Sequence, residues 1–169
     1  LPPAQLWVGQ QKLLEQQIHT YCSSYVCADD KSCIERLRIK KHQNVVWFYP
    51  DPTYTLEQLE IIHEQASHQC APQEHFFFVI THAHTLTLAC ANRLLKLMEE
   101  PPTGYHFLLL TDRRASVLPT IQSRCLIYTW YEHTEQELSF SALYAHFTGT
   151  SHDPLLFISK LLYTASTNI

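Results

Sequence analysis

Five short apolar runs punctuate the chain: "QLWV" (5–8), "NVVWFY" (44–49), "HFFFVIT" (75–81), "YHFLLLT" (105–111) and "RCLIYTW" (124–130). Each is apolar nearly throughout instead of alternating with polar residues. That is the pattern of strands covered on both faces in a parallel sheet. Between the runs the spacing becomes helical. Residues 10–22 predict a polar, weakly patterned helix. Residues 55–69 carry Leu56, Leu59, Ile62 and Ala66 at intervals of three and four, with Thr55 placed to cap them. Residues 86–99 carry Leu88, Ala91, Leu95 and Met98 at the same spacing, a stripe that predicts a core-facing helix. Alternating strands and helices predict a wound α/β domain with a five-stranded, mostly parallel sheet and helices on both faces. Beyond Trp130 the rhythm changes. Residues 134–147 and 153–165 read as two helices, the second opening at Asp153-Pro154. The expected division is therefore residues 1–131 as the α/β domain and 132–169 as a helical segment.

Composition supports a packed domain. The chain has 169 residues, 46% hydrophobic and 17% charged, enough apolar material for a sizeable core. The formal net charge of −4 argues against a basic footprint for nucleic acid over the whole domain. A local stripe of Arg36, Arg38, Lys40, Lys41 and His42 reads as a solvated face, with direct DNA binding as the alternative. No charged n-region precedes a long apolar segment, and no run approaches the ~20 residues of a membrane span. A start at Leu1 in place of methionine is expected of a trimmed or processed chain. The six cysteines then read as reduced and cytoplasmic, with Cys70 and Cys90 as small apolar fillers.

The chemistry concentrates in residues 91–125. Glu99-Glu100-Pro101-Pro102 ends a helix, because proline disfavours helical geometry in the residue before it. Two carboxylates at the negative end of the helix dipole cost about 0.3–1 kcal/mol each unless they are solvated or meet a partner's basic group. Thr111-Asp112 closes the fourth run, and strand ends in open α/β sheets face the ligand crevice. A loop and short helix then lead to Ser123-Arg124-Cys125 at the start of the last strand. An arginine there is commonly a surface ion-pair member. Glu99 and Glu100 are adjacent and diverge at a helix end, so they do not form a hydrolytic carboxylate pair. Nothing local marks a Cys/His nucleophile.

"ANRLLKLMEEPP", a strand, "LPTIQ" and then "SRC" together resemble the AAA+ clamp-loader subunits of bacterial DNA polymerase III. The resemblance covers roughly residues 5–130 and is tightest over 91–125. Within that family the nucleotide machinery separates motor subunits from delta-prime. A motor needs GxxxxGK[ST], whose glycines let backbone N–H groups cradle phosphates. The corresponding stretch here is "VGQQKLLEQQ", with Gly9 alone and Lys12 not followed by Ser or Thr. A motor also needs an acidic pair after the third strand for Mg²⁺, where this chain has His82 and Ala83. The chain is thus similar to delta-prime, an ATPase-shaped domain without its own nucleotide site.

That resemblance implies further expectations. The sheet is of the RecA/AAA+ type, and residues 132–169 begin a small lid, with the collar domain absent from this chain. Arg124 is an arginine finger acting in trans, with Ser123 and Cys125 shaping the backbone and packing around it. Glu99, Glu100, Ser123 and Cys125 lie at an interface. No bound ATP or Mg²⁺ is expected. The family's four-cysteine zinc module is expected to be lost, since Cys22, Cys27 and Cys33 are weak metal candidates without the tight CxxCxxC spacing. Partners are the motor subunits and the delta subunit, with the sliding clamp and primer–template DNA reached through the complex. A structural scaffold without a finger and a degenerate ATPase are the alternatives.

Overall fold

The computed structural model describes residues 1–27, 30–67, 70–71 and 74–131. The two helices expected at 134–147 and 153–165 lie outside these described residues. Residues 1–131 form a compact unit by themselves.

Five strands appear where the apolar runs predict them: β1 (Ala4–Val8), β2 (Val45–Phe48), β3 (Phe76–Ile80), β4 (Tyr105–Thr111) and β5 (Leu126–Thr129). They pair in the order β2-β3-β4-β1-β5, and all four pairings are parallel. Leu6 on β1 sits in register between Leu109 on β4 and Ile127 on β5. Successive side chains on a strand point to opposite faces. Phe78, Ile80, Phe107 and Leu109 accordingly join one core layer, while Phe77, Val79, Leu108 and Leu110 join the other. Apolar runs without alternation are what a sheet buried on both sides requires.

Helices α1 (Gln11–Val26) and α2 (Lys31–Arg38) cover one face, through Leu14, Ile18, Cys22 and Leu37. Helices α3 (Leu56–Ala66) and α4 (Leu88–Glu99) cover the other. Thr55 caps α3 in a reciprocal box with Gln58, and Thr87 Oγ1 caps α4 by accepting from the Cys90 N–H. A short α5 (Pro119–Gln122) precedes β5.

Three expectations change. Helix α2 is additional. It was hidden in the irregular stretch between the first helix and second strand, and it is capped by Asp30, whose carboxylate accepts from Ser32 N–H. Leu56 and Leu88 do not belong to the buried stripes, being 50% and 63% exposed. Each is the first residue of its helix, before the turn that reaches the sheet. The buried face of α4 is instead Cys90, Ala91, Leu94, Leu95, Leu97 and Met98. Finally, among the described residues β5 pairs only with β1 and leaves Leu126 and Tyr128 exposed, so within the described sheet it is an edge strand.

Candidate functional site

Arg124 lies between the end of α5 and the start of β5, not within the strand as its sequence position suggests. Its N–H donates to Ile121 O, closing the helical turn. The side chain reaches the C-terminal end of α4. There Glu99 Oε1 accepts from Arg124 Nε at 2.7 Å and from Nη2 at 2.6 Å. Arg124 Nη1 also donates to Thr120 O at 3.4 Å. Both side chains remain substantially open to solvent. The acid that dipole arguments place unfavourably at a helix end is therefore met by a cation of its own chain. Glu100 stands beside it, exposed, as the C-cap of α4.

The loop that carries Arg124 is braced by a residue the sequence reading passed over. Gln122 Nε2 donates to Val117 O at 2.9 Å and to Arg114 O at 3.1 Å, while Gln122 Oε1 accepts from Arg114 Nε. These bonds tie the 3-10 turn at Arg114–Ser116 to α5. The signal was the position of Gln122 two residues before the arginine, but a glutamine ending so short a helix has no distinguishing pattern. Ser123 caps α5, and its hydroxyl donates to Thr120 O. Cys125 is half-buried, and burial pushes its thiol up to about 12. It packs against the core layer that contains α4.

The corner where a phosphate loop would stand has a different build. Only Gly9 and Gln10 separate β1 from α1. Gly9 N–H is used by Thr111 O at 3.0 Å, and a Cβ on Gly9 would meet Trp130 O at 2.7 Å. A phosphate cradle needs several converging, unspent N–H groups. Beyond β3 the chain does not continue as a strand through His82 and His84. His82 takes the left-handed conformation with φ 48°, and His84 sits in a 3-10 turn. His84 Nδ1 lies 3.0 Å from Thr111 Oγ1 and 3.5 Å from Asp112 Oδ1. Burial, partly opposed by Asp112, lowers the His84 pKa.

The cysteines separate into two groups. Cys22 is buried in the α1 face of the core, and burial drives its thiol strongly upward. Cys27 and Cys33 are joined as a disulfide with Cα atoms 5.4 Å apart, against the expectation of reduced thiols. The turn from α1 into α2 brings them together, which spacing alone does not reveal. His42 Nε2 is 3.2 Å from Cys33 Sγ. Cys27, Cys33 and His42 thus group three potential donors. They do not fit a structural zinc site, which takes four N or S ligands with cysteines as thiolates, because here two of the three donors are bonded to each other. In the basic stripe, Lys40 is held by Glu15 Oε2 at 2.7 Å and lies over the Trp47 ring. Arg38 pairs loosely with Glu35.

A five-stranded parallel sheet in this order, with helices on both faces, is an AAA+-like α/β fold. The chain belongs to the family described as DNA polymerase III, delta subunit, whose model matches residues 3–133. Its curated relatives include DNA polymerase III subunits delta', which it resembles in sequence. A DNA polymerase III subunit delta' of Yersinia pestis is 50% identical over 52 residues, 31% of this chain and 15% of that protein. The Haemophilus influenzae subunit delta' is 37% identical over 73 residues, 43% of this chain and 22% of that protein. The matched stretches thus span under a quarter of either relative. Among solved structures, a DNA polymerase III gamma subunit-related protein from Thermotoga maritima aligns with TM-score 0.58 at 18% identity, over 84% of this chain and 44% of that one. At that identity the likeness concerns the fold. No helix among the described residues is long and apolar enough to cross a membrane.

Proposed function

We propose that this chain is a non-catalytic, delta'-like subunit of the replicative clamp loader that braces neighbouring ATPase subunits and supplies Arg124 in trans as an arginine finger. The observation that carries this reading is a pairing of features. A solvent-accessible guanidinium stands at the α5–β5 junction, while the chain's own β1–α1 connection is two residues long. A guanidinium is planar, always charged and able to fork onto phosphate oxygens, so it stabilises charge that develops during phosphoryl transfer. His82 and Ala83 offer no carboxylate pair for Mg²⁺. In this reading residues 132–169 begin the lid. The partners are the motor subunits and the delta subunit in a cytoplasmic hetero-oligomer, and the sliding clamp and primer–template DNA are reached through it.

A second reading, a scaffold in which Arg124 is purely structural, draws on its ion pair with Glu99. The test is DNA- and clamp-stimulated ATP hydrolysis by a reconstituted loader carrying the full-length protein as wild type or Arg124→Ala. Finger effects reach about 10³–10⁵-fold in related phosphoryl-transfer systems. A loss of tenfold or more with assembly intact supports the finger, and an unchanged rate supports the scaffold.

A further inference from the structure

We propose that Glu99 is a positioning residue for Arg124: it grips one edge of the guanidinium so that the other edge is presented, preoriented, to the phosphate of a nucleotide held by a neighbouring subunit. The proposal rests on the finger reading and deepens it.

The geometry assigns the donors one by one. A guanidinium carries five N–H groups in a fixed plane. Nε and Nη2 share its side edge, and both are directed to the same oxygen, Glu99 Oε1, at 2.7 and 2.6 Å. Nη1 turns one N–H to Thr120 O at 3.4 Å. The Nη2 N–H turned away from Glu99 and the Nη1 N–H beside it lie on the far edge. These two are parallel and form the tip of the fork, which is the edge that binds two phosphate oxygens at once. A carboxylate that occupied the tip would compete with phosphate. A carboxylate on the side edge leaves the tip available and fixes the plane.

Two features of the chain make Glu99 suited to this. It is the last residue of α4, a helix anchored to the sheet by Leu94, Leu95, Leu97 and Met98, so its backbone is fixed against the core. The Pro101-Pro102 pair that follows stops the helix there, which sets where the carboxylate projects. An arginine otherwise samples many rotamers, and contacts that hold it in advance reduce what must be ordered when the neighbour's nucleotide arrives. Thr120 O adds a second fixed point from α5.

The opposite role, a latch that withholds Arg124, predicts the opposite sign. The experiment measures steady-state ATP hydrolysis by the reconstituted loader with the full-length protein as wild type, Glu99→Ala, Glu99→Gln, Arg124→Ala and Glu99→Ala/Arg124→Ala. Thermal unfolding and size exclusion confirm folding and assembly for each. Expected are a kcat reduced about 3–30-fold by Glu99→Ala, with KM for ATP little changed. Glu99→Gln, which keeps an acceptor oxygen, should retain an intermediate rate. The double variant should be no slower than Arg124→Ala alone, because the carboxylate acts only through the arginine. If Arg124→Ala slows hydrolysis while Glu99→Ala does not, the finger stands and the positioning role is overturned. A faster Glu99→Ala loader overturns it in favour of a latch. Additive losses in the double variant assign Glu99 a separate role and overturn it too. No effect of Arg124→Ala overturns the finger reading, and this proposal falls with it.

Discussion

Arg124 and Glu99 stand 25 positions apart and meet through one oxygen, with Oε1 accepting from both Nε and Nη2. The contact links the end of α4 to the turn before β5, across the segment that includes β4. Its worth to folding is small, because both side chains are open to water. A double-mutant cycle of Glu99→Ala and Arg124→Ala in urea denaturation should give a coupling of about 0.2–1 kcal/mol, falling at high salt. A coupling above about 3 kcal/mol would mark the pair as part of the scaffold.

Gly9 is held between strand and helix with no space beside it. A Cβ there would lie 2.7 Å from Trp130 O and 3.3 Å from Leu14 Cδ2. The obstructing oxygen belongs to the backbone and cannot rotate aside. Gly9→Ala should therefore cost about 1–3 kcal/mol, read as a lower urea midpoint with unchanged slope. A neutral Gly9→Ala would show that residue 130 does not close over the β1–α1 turn.

His106, on β4, is nearly buried and stacks on Phe77, with its Nε2 3.0 Å from His75 Nδ1. Burial, aided by His75 and opposed by the Pro2 carbonyl, lowers its pKa to about 4. In the unfolded chain the imidazole takes its proton near pH 6.5, so between these values the unfolded state binds more protons. The stabilising contribution of a neutral His106 is fully present above pH 6.5 and is lost as pH falls toward 4. The loss is on the order of 2–3 kcal/mol. His106→Asn should flatten the stability profile over that window, and chemical denaturation at pH 4.5, 5.5 and 7 checks it.

Of the six cysteines, Cys22, Cys70, Cys90 and Cys125 are free thiols in the structure. Alkylation under denaturing conditions without reductant should label these four, and reduction should add Cys27 and Cys33. Reduction should also lower stability by about 2 kcal/mol, as expected for a short closed loop. Six labelled thiols before reduction would contradict the pairing.

The strands were legible because a parallel sheet covered on both faces leaves no polar side to its strands. "HFFFVIT" and "YHFLLLT" could hardly be anything else, and they became β3 and β4. Helix α2 was not legible. It buries only Cys33 and Leu37 among charged residues, too narrow a stripe to register as periodic, and its three nearby cysteines suggested ligands before packing. Leu56 and Leu88 fit their helical spacing yet lie outside the buried stripes, because periodicity does not show where a helix first touches the sheet. At the site, Arg124 was visible through its motif. The sequence offered Glu99 a choice between solvent and a partner's cation, and the structure supplies a third answer from within the chain. Contacts between residues so far apart depend on tertiary packing, which local pattern does not encode.

The two-residue joint between β1 and α1 has a consequence for any attempt to give this domain a nucleotide pocket of its own. Replacing Gln10 or Leu13 with glycine, lysine or threonine would change the chemistry of the turn while leaving its length too short to encircle anything. Added backbone would be needed, and it would have to displace Trp130 from its close approach to Gly9. A phosphate-binding corner at this joint would thus take inserted backbone as well as exchanged side chains.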